Sequence, residues 1–293
     1  MREVGVEDAG GVTIGVDVGG TKIAAGVVRD GFVENRMELR TGASDGATFV
    51  IGQLRAAILG AAGGEPIARV GIGVPGRYDG TRILHLPNIP ALDGIDLAAV
   101  LRVVIGDAAV LLENDARCFT LAESAMGVAK GGRCAVGFVL GTGVGGGIIV
   151  GGRVYRGAHG GAGEIGHIIA DARLASFSLG QSGDWEHLVC GPAIVARYRA
   201  LGGGEQRASE IWTTDTIIAR ETLAEEARLL AIFTANIATV LDPEFVVVGG
   251  GVATRALVDA ANALLPKYGT QPLLRLAKLG NEAGILGAAL LFK

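Results

Sequence analysis

Paired cysteine is missing from this sequence. Cys118, Cys134 and Cys190 stand far apart, odd in number and without a Cys-x-x-Cys. That argues against a disulfide framework and against a cysteine zinc knuckle. A basic surplus is missing too: 26 Lys and Arg face 30 Asp and Glu, for a formal charge of −4. A general nucleic-acid binder needs a basic face to displace phosphate counterions, so no nucleic-acid partner is expected. No apolar run approaches the ~20 residues of a membrane-spanning helix. The most apolar stretches, such as 138–152, are broken repeatedly by glycine. The opening MREVGVEDAG mixes both charges and has no apolar targeting core, so no membrane association and a cytoplasmic location are expected. Gly-Lys-Ser and Gly-Lys-Thr do not occur, which removes a Walker-type phosphate loop.

What is present is core material and glycine. The chain has 293 residues, 49% hydrophobic and 19% charged, which excludes a disordered chain and suggests one large or two medium domains. Glycine numbers 49, far above the usual ~7%, with no collagen period. It clusters in turns beside apolar runs, which suggests backbone that approaches ligands closely.

The pattern predicts a strand at 12–18, a glycine turn, a return strand at 21–28 and a third near 31–39. A helix at 47–60, strands at 70–74 and 83–86, a helix at 95–103, a strand at 109–112 and a helix at 116–126 follow. A second unit repeats the motif: strand 135–140, glycine turn 141–147, return strand 148–150 and a continuation at 153–155. The two strand–glycine–strand segments read as an internal repeat of two related sheets that face each other. The C-terminal part predicts a long helix at 216–241 stopped by Asp242–Pro243, a strand at 245–248, a helix at 254–265 and a closing helix at 282–292. The expected lobes are 1–118 and 119–281, with the closing helix, about 282–293, returning to the first.

Five segments carry chemistry. Asp17, Gly19, Gly20, Thr21 and Lys22 form a turn whose backbone N–H groups, hydroxyl and ammonium suit a phosphate. Asp17 ends a buried strand, where a lone carboxylate is costly unless a cation such as nucleotide-bound Mg²⁺ is near; a plain tight hairpin is the alternative. Gly141, Thr142 and Gly143 open a G-x-G-x-x-G, but a hairpin and not a helix follows, so the Rossmann reading loses its helix N-terminus. Gly249, Gly250 and Gly251 lie between a strand and a helix, where a flat ligand could rest on backbone; a strand-to-helix turn is the alternative. Glu113–Asn114–Asp115 ends a strand and begins a helix, so Asp115 reads either as an N-cap or as a base taking a hydroxyl proton. Glu164 and His167, with Glu186 further on, offer polar groups to hydroxyls, against the alternative of a core histidine bonded to backbone.

In this order, together with Gly73–Val74–Pro75–Gly76 and Pro87–Asn88, the segments resemble the ROK family of sugar kinases, repressors and open reading frames. The resemblance covers nearly the whole chain. It implies an α/β, actin-like (ribonuclease H-like) two-lobed fold with ATP and sugar in the cleft between lobes. It implies that Asp17 to Lys22 and Gly141 to Gly143 hold phosphates and Mg²⁺, and that Gly249 to Gly251 contact adenosine. Asp115 would be the base for the sugar's primary hydroxyl. Asn88, Asn114, Glu164, His167 and Glu186 would hold ring hydroxyls, with Gly76 and Arg77 near the sugar. The sequence departs from the family at Cys-x-Cys-Gly-x-x-Gly-Cys-x-Glu, whose three cysteines bind zinc with the histidine. Those positions hold Phe177, Leu179 and Asp184, while Glu186 keeps the glutamate. Without thiolates, no structural zinc is expected.

The expected activity is ATP-dependent phosphorylation of a hexose or hexose-like ring, glucose first. N-acetylmannosamine, N-acetylglucosamine, an amino sugar or a cyclitol are the alternative substrates. A regulator of the same family would carry a winged-helix domain before the first strand, and only a short stretch precedes Val12. A non-catalytic sugar sensor is opposed by the presence of Asp17 and Asp115. A homodimer is expected from the resemblance alone.

Overall fold

The computed structural model describes residues 10–171, 183–271 and 273–293. It divides into two compact units: Met1–Cys118 with Asn281–Lys293, and Phe119–Gly280.

The first unit opens with β1 (Val12–Val18), β2 (Lys22–Arg29) and β3 (Phe32–Arg40), an antiparallel meander. β1 and β2 are apolar along most of their length and buried, while β3 alternates, as an edge strand with one wet face should. After α1 (Ala47–Ala62), strand β4 (Ile67–Val74) pairs parallel with β1. A small hairpin of β5 (Arg77–Asp79) and β6 (Arg82–His85) leads to α2 (Leu97–Ile105). β7 (Ala109–Asn114) then pairs parallel with β4, which completes the order β3-β2-β1-β4-β7. α2 starts two residues later than the periodicity indicates because Asp96 is its cap, accepting the Ala99 N–H. α3 (Asp115–Ala125) follows β7 without a loop.

The second unit repeats this plan. β8 (Cys134–Leu140), β9 (Val144–Val150) and β10 (Arg153–Val154) form the meander. Three short helices follow: α4 (Glu186–Val189), α5 (Gly191–Ala200) and α6 (Ala208–Ile211). They fall where the sequence reading places no element. α7 (Ile217–Leu241) is capped by Thr216 and ends at Asp242 in the left-handed region, with Pro243 beyond. β11 (Phe245–Gly249) pairs parallel with β8, α8 (Arg255–Leu264) is capped by Thr254, and β12 (Leu274–Leu276) pairs parallel with β11. The order is β10-β9-β8-β11-β12.

The expected closing helix of 282–292 is shorter than its apolar pattern. Its helical part is α9 (Ala283–Ala289), flanked by 3-10 turns at Gly280–Glu282 and Leu290–Phe292. α9 lies so close to the first sheet that a Cβ on Gly15 would overlap the Ile285 carbonyl, and one on Gly71 the Ala288 carbonyl. Each unit has its own apolar core, built around Ile14, Ile23, Leu54 and Ile72 in the first and Phe138, Phe233, Leu230 and Val248 in the second. Among the described residues no helix is long and apolar enough to cross a membrane.

Candidate active site

In the first unit the polar residues gather at the C-terminal ends of the parallel strands, the end at which open α/β sheets bind ligands. Asp17 of β1 is in register with Gly73 of β4, and Gly73 with Glu113 of β7. A Cβ on Gly73 would stand 3.5 Å from the Asp115 Cα, so Gly73 neighbours both aspartates. Burial pushes the Asp17 carboxyl above its ordinary range, against the pull of Lys22 and Arg36. Its oxygens accept no hydrogen bond among the described residues. A desolvated carboxylate of this kind suits a divalent cation brought by a nucleotide.

Asp115 begins α3, and Asn114 is the residue that caps it. The Asn114 Oδ1 accepts the N–H groups of Ala116 at 3.0 Å and Arg117 at 3.2 Å, and Asp115 Oδ1 accepts the same Ala116 N–H at 2.8 Å. A helix N-terminus favours negative charge. Behind it, the buried Glu113 Oε1 accepts the Tyr78 hydroxyl at 2.7 Å, the Asn114 N–H at 2.9 Å and the Arg117 guanidinium at 3.2 Å. Tyr78 therefore ties the β5–β6 hairpin to the strand that carries Asn114 and Asp115.

Around these groups the β1–β2 turn is closed by the Gly19 N–H donating to the Lys22 carbonyl at 2.8 Å. A Cβ on Gly20 would come within 2.9 Å of the Asn88 Cβ, so that turn and Asn88 are neighbours. Thr21 is exposed, and Lys22 pairs with Glu38 at 3.3 Å. Gly76 adopts φ 150° at the start of the hairpin, and Arg77 beside it is exposed.

The second unit holds a cavity of about 540 Å³. It is lined by Gly141 and Thr142 of the β8–β9 turn, by Gly251 and Val252, and by Pro192, Val195 and Arg207. The Gly191 N–H donates to the Gly141 carbonyl at 2.8 Å, which fastens the start of α5 to the glycine turn. The cavity is mostly aliphatic, with charged side chains at Arg199 and Arg207, each paired with a glutamate. It suits a flat, partly apolar group joined to phosphate.

Glu186, at the first position of α4, accepts the Val144 N–H at 2.7 Å. A Cβ on Gly143 would overlap the same carboxylate, so a larger residue there would displace Glu186 from this position. His167 sits in a 3-10 turn, Ile165–His167, that begins at exposed Glu164. Its Nδ1 lies 3.2 Å from Asp184 Oδ2, and Nδ1 of His187 lies 2.7 Å from Asp184 Oδ1. Burial acts to raise the Asp184 carboxyl, but the hydrogen bonds from His187 and His167 outweigh it and hold it below its ordinary range.

The profile of the ROK family matches residues 13–293. The chain belongs to the ROK family. It is 32% identical to a glucokinase of Streptomyces coelicolor over 95% of this chain and 96% of that one. It is 33% identical to an N-acetyl-D-glucosamine kinase of Escherichia coli, over 94% and 98%. Among solved structures, a ROK family glucokinase from Streptomyces griseus in complex with glucose and AMPPNP superposes with a TM-score of 0.81, at 31% identity, covering 96% of this chain and 99% of that one. The fold is accordingly the actin-like α/β fold of the ROK sugar kinases.

For this ROK chain the structure sorts the residues expected from sequence. Asp17, Gly20, Asn88, Asn114 and Asp115 all lie in the first unit, with Gly20 beside Asn88, and Asp17 and Asp115 each beside Gly73. Gly141, Thr142 and Gly251 share the cavity wall in the second. Gly249 does not: a Cβ there would meet the Phe119 ring at 2.6 Å, so it packs inward. Gly250 makes the turn, with φ 93°. Of the three positions that depart from the ROK cysteine pattern, Phe177 and Leu179 lie outside the described residues. Among the described residues no group of three or more His, Cys, Asp or Glu is arranged to hold a metal ion. Sequence reasoning missed the α5–α6 wall and His187. The wall carries no motif, but His187 stands three residues after Asp184, a spacing that brings side chains together on a helix.

Proposed function

We propose that this sugar kinase transfers the γ-phosphoryl group of ATP to the primary hydroxyl of a hexose, glucose first, with N-acetylglucosamine as the leading alternative. N-acetylmannosamine, an amino sugar and a cyclitol remain candidates for the same site. The observation that carries the reading is the setting of Asp115, at a helix N-terminus fixed by Asn114 and by the buried Glu113–Tyr78–Arg117 contacts. The relatives, a glucokinase and an N-acetyl-D-glucosamine kinase among them, support it.

Asp115 takes the proton of the attacking hydroxyl as the new O–P bond forms and the bond to ADP breaks. The N–H groups of the two glycine turns hold phosphate oxygens, and the cavity beside Gly141 and Gly251 receives the adenosine. Asp17 would hold the Mg²⁺ of the nucleotide, which supplies charge neutralisation for the transferring group. Asn88, Asn114, Glu164, His167 and Glu186 orient the ring, with Gly76 and Arg77 beside it. Such catalysis is chiefly positioning and electrostatic stabilisation, which these groups supply.

The test is ADP release with Mg-ATP across glucose, mannose, fructose, N-acetylglucosamine, N-acetylmannosamine, an amino-glucose and a cyclitol. One strong responder is expected. With that sugar, Asp115→Asn should lower kcat by about 10²–10⁴-fold while ATP and sugar still raise the melting temperature. A rate near wild type would remove Asp115 as the base, and no turnover on any ring would overturn the kinase.

A further inference from the structure

Asp184 is 5% exposed, and histidine occupies both of its oxygens. Oδ2 faces Nδ1 of His167 at 3.2 Å. Oδ1 faces Nδ1 of His187 at 2.7 Å and accepts the His187 backbone N–H at 3.0 Å. A carboxylate offers only acceptors, so each Nδ1 must carry the proton. In a neutral imidazole that leaves Nε2 as the acceptor. Nε2 of His167 makes no hydrogen bond among the described residues, and the side chain keeps 28% exposure.

The backbone holds the same arrangement. The Trp185 N–H donates to the Ile168 carbonyl at 3.0 Å, and the Ala170 and Asp171 N–H groups donate to the Gly183 carbonyl at 2.7 and 3.0 Å. His167 and Asp184 thus stand on two segments already hydrogen-bonded to each other. His187, one turn along from Asp184, keeps the carboxylate from rotating away.

We propose that Asp184 is a positioning residue that locks His167 in its Nδ1–H form, so that Nε2 is presented as a hydrogen-bond acceptor to the ring of the substrate. The identity of that partner as a sugar rests on the kinase reading above. The consequence for specificity is chemical: the substrate must bring a donor, a hydroxyl or an N–H, to this point. A deoxy analogue at the same ring position loses the contact.

Two measurements test it. Long-range ¹⁵N–¹H NMR of the wild-type chain, which has only four histidines, should show the His167 ring protonated at Nδ1, assigned by its loss in His167→Gln. Asp184→Asn should release the ring into a mixture of tautomers, raise the sugar KM about 10-fold and leave kcat and the ATP KM within about 3-fold. A His167 ring protonated at Nε2 in the wild type overturns the proposal whether or not Asp184→Asn folds. So does Asp184→Asn with an unchanged tautomer and sugar KM, although the kinase reading then stands. Failure of every sugar in the panel removes the kinase reading, while the NMR still decides the Asp184–His167 bond.

Discussion

Glu226 is a carboxylate at odds with its surroundings. It lies on the inner face of α7 with no exposure, and Arg197 reaches only Oε2, at 2.8 Å. Oε1 has no hydrogen-bond partner among the described residues. Desolvation wins over the attraction of Arg197 and pushes the carboxyl from its ordinary 4.5 up to about 8. The folded chain therefore keeps a proton at pH values where the unfolded chain has lost it. Stability from this group is fully present below the unfolded value and declines as pH rises through that window, then levels off above the folded value. Glu226→Gln keeps the shape and removes the titration. The wild-type melting temperature should fall relative to the variant by roughly 4 °C or more between about pH 5 and about pH 8.5. Parallel melting curves across that range would show that Glu226 is ionised throughout. Nothing in the sequence singles out this residue, because its burial is a property of the helix face and not of a motif.

At the scale of elements, the glycines separate into two groups that the sequence does not distinguish. Those at 141 and 251 line the cavity, as the composition suggests. Gly15 and Gly71 instead let α9 settle onto β1 and β4. The apolar run at 282–292 shows that a closing helix exists, but not that its helical part is only Ala283–Ala289. Gly71→Ala would drive a Cβ into the Ala288 backbone, which has no flexible end to move aside. It should cost ~1–3 kcal/mol, the usual scale for overpacking, read as a lower denaturant midpoint. Gly52, exposed inside α1 with open space around its would-be Cβ, should respond with the opposite sign. Gly52→Ala should gain ~0.5–1 kcal/mol from helix propensity. Equal responses at the two sites would mean that the contact with α9 is looser than the backbone distances indicate. The strand–glycine–strand units were legible because hairpin turns carry local signals. The helices α4 to α6 were not, being short, mixed in composition and held by Gly191 and Trp212 bonding to distant backbone.

Across the whole molecule, the same strand plan is used twice: β1, β2, β3, β4 and β7 correspond in order and direction to β8, β9, β10, β11 and β12. The two copies have diverged in chemistry. The first carries the two aspartates at its strand ends, and the second carries a glycine-walled cavity. The second also carries the departure from the ROK cysteine pattern, and there the joining of 165–171 to 183–187 can be traced bond by bond. Three backbone hydrogen bonds and the Asp184 carboxylate between His167 and His187 make the connection. We expect these bonds to join the segments without a thiolate-bound ion; an ion that binds only the folded state would add stability that grows with the logarithm of its affinity. We therefore expect the purified chain to carry well below one zinc per molecule, and a strong chelator to leave its melting temperature within about 1 °C. Stoichiometric zinc, or a large drop on chelation, would mean that a metal and not Asp184 joins these segments, and His167 would then owe its orientation to that ion.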